Sequence, residues 1–112
     1  MNTKSAITAL AALAQESRLA VFRLLVATGP QGLAATKIAE TLAVPASSLS
    51  FHLKELTHAE LITAKQEGRF IIYSANFAAM TALMDYLSEN CCQGEPCSLR
   101  AEPACTTSSC AR

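Results

Sequence analysis

The chain has 112 residues, 51% of them apolar and 5% aromatic, and its formal net charge is zero. This length supports one domain with a true core and leaves it small enough to gain from dimerisation. Neutrality excludes a global basic field, yet residues 1–74 carry seven Lys/Arg against five Asp/Glu and residues 75–112 two against four, so an anionic partner is expected to meet the first two-thirds.

The Ala- and Leu-rich mixture points to a mainly α protein with a little sheet. In chain order, residues 5–14 and 17–28 read as helices, parted near "AQES", where Glu16 or Ser17 suits a helix start. Leu19, Phe22 and Val26 share a face of the second, and Leu25 widens it. "TGPQG" (28–32) is a turn. "LAATKIAETLA" (33–43) has the spacing of a short helix, with Ile38 and Leu42 one turn apart, and "VP" breaks it before "ASSLSFHLKELTHAEL" begins another. Two short helices joined by a tight turn make a helix-turn-helix candidate. "LITAKQEGRFIIYS" (61–74) sets β-branched and aromatic runs on either side of "QEG", the pattern of a β-hairpin. "ANFAAMTALMDYLSEN" is helical again, and its stripe of Phe77, Met80, Met84 and Leu87 is too apolar for a solvent-facing helix. That stripe is expected to pack partly on a partner subunit together with the first helix. Helix, helix, helix-turn-helix, hairpin, helix is the order of a winged helix-turn-helix.

The start "MNTKSAITALAALA" has some look of a leader, but Thr8 interrupts its apolar run and the helical pattern continues into "ESRLAVFRLL". No stretch approaches the roughly 18 apolar residues of a membrane span. Residues 1–90 are therefore read as a DNA-binding and dimerisation domain in a cytoplasmic protein, and residues 91–112, without periodicity, as a mobile cysteine-rich tail.

The second helix of the helix-turn-helix sorts its residues sharply. Leu49, Leu53 and Leu56 cluster on the core side, and Ser47, Ser50, Phe51 and Lys54 fall opposite. Small hydroxyls can reach phosphates or base edges, and Lys54 can meet a phosphate. Phe51 suits a thymine methyl, or alternatively packs on the wing or a neighbouring subunit. His52 lies at the flank, where it can pack and cap a backbone group, and His58 is read as a surface residue near the helix end. In the hairpin, Lys65 and Arg69 suit backbone phosphates or the minor groove, or stand as solvated charges. The candidate DNA-binding set is Ser47, Ser48, Ser50, Phe51, His52, Lys54, Lys65 and Arg69.

All five cysteines, Cys91, Cys92, Cys97, Cys105 and Cys110, fall in the last 22 positions. A secreted disulfide scaffold spreads its cysteines through the fold it staples, so a reducing compartment is the better reading. Soft thiolates select soft ions. Three of them without His or carboxylate support suit trigonal As(III) or Sb(III), whereas zinc favours four ligands and C-x-x-C knuckles, which "CCQGEPC" is not. Gly94 and Pro96 supply the unwinding that lets Cys91, Cys92 and Cys97 converge as a metal site. No structural cofactor is expected, and Cys105 and Cys110 are read as inessential. No nucleophile has the partners an enzyme needs. A metal-buffering tail, a cadmium-type soft-metal sensor and a redox or reactive-sulfur sensor are the other readings the thiols allow.

Three stretches, "ALAQESRLAVFRLL", "LAVPASSLSFHLKELTHAELI" and "QEGRFIIYS", resemble the signature stretches of the ArsR/SmtB metal- and metalloid-responsive repressors, over about residues 8–90. The resemblance implies a homodimer held by the first and last helices, binding to double-stranded operator DNA, and release when an inducer binds. His52 aligns with a histidine common in the family motif. The family's best-known arsenic sensors carry a cysteine pair before the recognition helix, where this chain has "TKIAETL". Its zinc and cobalt sensors use Asp and His along the last helix, which here offers Asp85 and Glu89 but no His. The trio Cys91, Cys92 and Cys97 is similar instead to the relocated three-cysteine arsenite site of some members.

Overall fold

Side-chain oxygens start three of the five helices in the computed structural model, which describes residues 1–90. Helix α1 (Thr3–Leu13) begins with a capping box: Asn2 Oδ1 accepts the Ser5 N–H at 2.8 Å, and Ser5 Oγ accepts the Asn2 N–H at 3.2 Å. The leader-like segment thus forms a docked helix, with Ala6, Ala9 and Ala12 buried. Helix α2 (Glu16–Thr28) starts at Glu16, one of the two expected starts and one residue ahead of the expected 17–28 span, with Gln15 as its cap: Gln15 Oε1 accepts the Arg18 N–H at 3.0 Å. Arg18 also donates from Nε to the Ala12 carbonyl at 2.8 Å, satisfying an acceptor at the end of α1. The buried face of α2 is Val21, Phe22 and Leu25. Leu19 is exposed and Val26 only half-buried, so the helix is rotated from the Leu19–Phe22–Val26 face that spacing suggested.

The segment read as one helix over 33–43 divides in two. Leu33–Ala34 is a short strand, β1, and helix α3 (Ala35–Leu42) follows it directly. Just before β1, Gly32 with a φ of +71° turns the chain against the sheet. A Cβ there would stand 2.4 Å from the Tyr73 carbonyl oxygen, so only glycine permits this approach. Helix α3 ends at Ala43 in the left-handed region, and Val44 N–H returns to the Ala39 carbonyl at 3.1 Å. Pro45 then leads into helix α4 (Ala46–His58).

Strands β2 (Ile62–Glu67) and β3 (Phe70–Ala75) form the expected hairpin, in register from Ile62 opposite Ala75 to Glu67 opposite Phe70. Its two-residue loop, Gly68–Arg69, puts the positive φ of +64° on Gly68. The hairpin is widened by β1, which pairs antiparallel with β3, giving the order β1-β3-β2. Helix α5 (Phe77–Ser88) is capped by Asn76, which accepts the Ala79 N–H at 3.1 Å and donates to the Glu60 carbonyl at 3.0 Å. No described helix is long and apolar enough to cross a membrane.

Val21, Leu25, Ile38, Leu49, Leu56, Leu61 and Ile62 are the fully buried centre, drawn from α2, α3, α4 and the start of the wing. Leu56→Ala should cost about 2–5 kcal/mol, the range for a buried leucine whose cavity cannot close. Urea unfolding checks this. A loss under about 1 kcal/mol would mean that α4 is not seated on this core.

Candidate nucleic-acid interface

Helix α4 is held from one side only. Leu49, Leu53 and Leu56 are buried, as spacing required, and Ser47, Ser48, Ser50, Phe51 and Lys54 are exposed. No side chain caps the start of α4, because Pro45 stands at the N-cap. The first-turn N–H groups there, together with the Ser47 and Ser48 hydroxyls, can serve an anionic oxygen. Phe51 is 55% exposed. Its ring meets the edge of the His52 ring at a centroid distance of 5.9 Å and an angle of 62°.

His52 departs from the expected backbone cap. It is half-buried, and among the described residues its buried Nδ1 has no hydrogen-bond partner. Its contact is with the Phe51 ring, so it supports the aromatic rather than closing a helix end.

The wing stands beside α4 across a groove lined by Ser50, Lys54, Glu55, Thr57 and His58 from the helix and by Ala64 and Tyr73 from the strands. Lys65 is exposed and paired to Glu67 at 3.4 Å. Such a surface pair is worth about 0–1 kcal/mol and yields easily to a phosphate. Arg69 is exposed in the hairpin loop. Five groove residues, Glu55, Thr57, His58, Ala64 and Tyr73, were not in the DNA-facing set. His58 lies four residues beyond Lys54 and seven beyond Phe51, so a wheel carried one turn further would have found it. Tyr73 stands opposite Ala64 in the hairpin, a pairing the hairpin pattern implied, but its approach to α4 depends on packing that the pattern does not give.

Cys91, Cys92 and Cys97, together with Cys105 and Cys110, lie outside the described residues. Among the described residues no three His, Cys, Asp or Glu side chains gather in a way that could hold a metal ion.

A family model described as a helix-turn-helix domain matches residues 13–63. An ArsR-like transcriptional regulator from Rhodococcus sp. RHA1 is 26% identical over 76% of this chain and 77% of its own, with a TM-score of 0.68. A solved protein described as a possible transcriptional regulator for arsenical resistance is 30% identical over 70% of this chain and 82% of its own, with a TM-score of 0.57. This chain belongs to the ArsR family. The fold of this ArsR-family regulator is shared by the homodimeric winged helix-turn-helix DNA-binding domain of a possible ArsR-family regulator from Mycobacterium bovis, 24% identical over 82% of this chain and 85% of its own, TM-score 0.62. No curated protein matches the ArsR-family chain significantly. Family and fold are those of DNA-binding transcriptional regulators, not of enzymes.

Proposed function

We propose that this regulator is a cytoplasmic homodimeric repressor that binds operator DNA and releases it when As(III) or Sb(III) binds Cys91, Cys92 and Cys97. The observation that carries the DNA half is the two-sided recognition helix. Three leucines fix it to the core, while hydroxyls, an aromatic and a lysine stand outward beside a basic wing. In this reading Ser47, Ser48, Ser50, Phe51 and Lys54 face the major groove, Lys65 and Arg69 meet phosphates or the minor groove, and His52 steadies Phe51. Recognition helices of the two subunits then enter successive major grooves roughly 34–36 Å apart.

Homodimerisation is supported by helices α1 and α5, which touch each other, with Thr3 Oγ1 hydrogen-bonded to Tyr86 OH at 2.6 Å. Both leave large apolar side chains outside: Ile7 and Leu10 on α1, and Met84 and Leu87 on α5, the last two 54% and 60% exposed. The core side of α5 is Leu83 instead, with Phe77, Met80 and Tyr86 half-buried around it. The Mycobacterium bovis relative, itself a homodimer, lends support. The inducer half rests on thiolate chemistry and on the solved relative connected with arsenical resistance.

The deciding experiment is a mobility-shift assay on the full chain, followed by release titrations with arsenite, antimonite, cadmium, zinc and hydrogen peroxide. Lys54→Ala and Arg69→Ala should each reduce the slope of log affinity against log salt by about 1, as expected for one lost phosphate contact. Binding that does not change with salt would remove the DNA assignment.

A further inference from the structure

The tip of the wing exposes a large apolar side chain on each face. Phe70 and Ile71, the first two residues of β3, are 58% and 45% exposed. Successive strand residues point to opposite faces, so no single flat surface can cover both. A hairpin tip in water ordinarily carries polar residues at such positions, and the opposite strand does so with Gln66 and Glu67. A slot that encloses the tip from two sides would bury both side chains. Arg69, in the loop next to Phe70, adds a cation at the leading edge. The one carboxylate there, Glu67, lies opposite Phe70, and its exposed pair with Lys65 at 3.4 Å is weak enough to rearrange as the tip meets a partner.

We propose that the wing tip is a wedge: Phe70, backed by Ile71 and led by Arg69, enters the minor groove of the operator and bends the duplex. The inference rests on the DNA-binding reading and adds to it a specific deformation. The groove is a slot with negative potential, most negative where A·T-rich sequence narrows it, which draws Arg69 in. Apolar side chains inserted at a base step unstack it and kink DNA by roughly 20–90°. Part of the sequence preference would then arise from base steps that unstack easily, at positions α4 does not read.

The test uses the full chain and a duplex enriched by the unsubstituted protein from a random-sequence pool. Bending is measured by energy transfer between dyes at the duplex ends, and unstacking by 2-aminopurine fluorescence at the step beneath the wing. The parent protein should shorten the end-to-end distance and raise the fluorescence. Phe70→Ala should lose both signals and keep the salt slope, whereas Arg69→Ala should flatten the slope. Phe70→Leu, still an apolar wedge, should restore most of the bend. A straight duplex under the parent protein, or an equal bend under Phe70→Ala, overturns the wedge and leaves DNA binding intact. A Phe70→Ala variant that bends DNA normally but sediments differently overturns it in favour of a protein contact. Failure to enrich any duplex removes the DNA reading and the wedge together.

Discussion

Cys91→Ser, Cys92→Ser and Cys97→Ser variants should each bind operator as tightly as the parent protein yet stay bound at arsenite concentrations that release the parent. A serine hydroxyl is not deprotonated near neutral pH and is a hard donor, so it cannot replace a thiolate toward a soft ion. With three donors expected, losing one leaves an incomplete trigonal site. Release requires the inducer to bind the DNA-free geometry more tightly, and a coupling of about 1–3 kcal/mol corresponds to a 5–150-fold change in operator affinity. That whole change should vanish in each variant. Fluorescence anisotropy of a labelled operator during arsenite titration measures it. Metalloid binding displaces thiol protons, so more arsenite should be needed at lower pH. Cys105→Ser and Cys110→Ser should respond almost normally. Loss of response in Cys105→Ser, with Cys91→Ser and Cys92→Ser still responsive, would move the sensor to the other half of the tail.

Met84→Asp should produce monomers and weaken operator binding by roughly 10²–10⁴-fold, because the second half-site is no longer held at high effective concentration. Met84 is 54% exposed in the single chain, so the substitution leaves the chain's own core untouched. In a dimer it would bury a carboxylate without a partner, which association cannot tolerate. Sedimentation measures the first effect and anisotropy the second. Unchanged sedimentation would show that α5 does not form the interface.

The helix-turn-helix was legible because its two helices advertise themselves locally. Leu49, Leu53 and Leu56 mark one side of α4, and Pro45 and the residues after Thr28 punctuate the ends. The hairpin was legible for the same reason, from Gly68 between β-branched runs. What escaped depends on contacts far along the chain. Leu33 and Ala34 look helical by spacing and become a strand only because Tyr73 and Ile72 lie opposite them. On α5 the stripe of Phe77, Met80, Met84 and Leu87 was visible, but not how it would divide, with Phe77 and Met80 beside Leu83 on the chain's own core and Met84 and Leu87 left exposed. An amphipathic pattern gives a face and does not say whether self or partner covers it. At the site, the outward set of α4 followed from angle alone, whereas the unpartnered Nδ1 of His52 depends on packing that no local pattern reveals.

Strand β1 is only two residues long, yet it ties the wing to the helix-turn-helix. It pairs with β3, Leu33 opposite Tyr73 and Ala34 opposite Ile72, and passes without a spacer into α3. The root of the wing and the first helix of the reading head are thereby riveted to each other, and α4 is bolted to both through the leucine core. In the proposed dimer each subunit would carry its DNA-reading parts as one jaw of a calliper, and a signal from the C-terminal tail would act by changing the angle or gap between the two jaws. Small rotations where α1 and α5 meet the partner would then be magnified at the tips, and grip on both half-sites would be lost in one step.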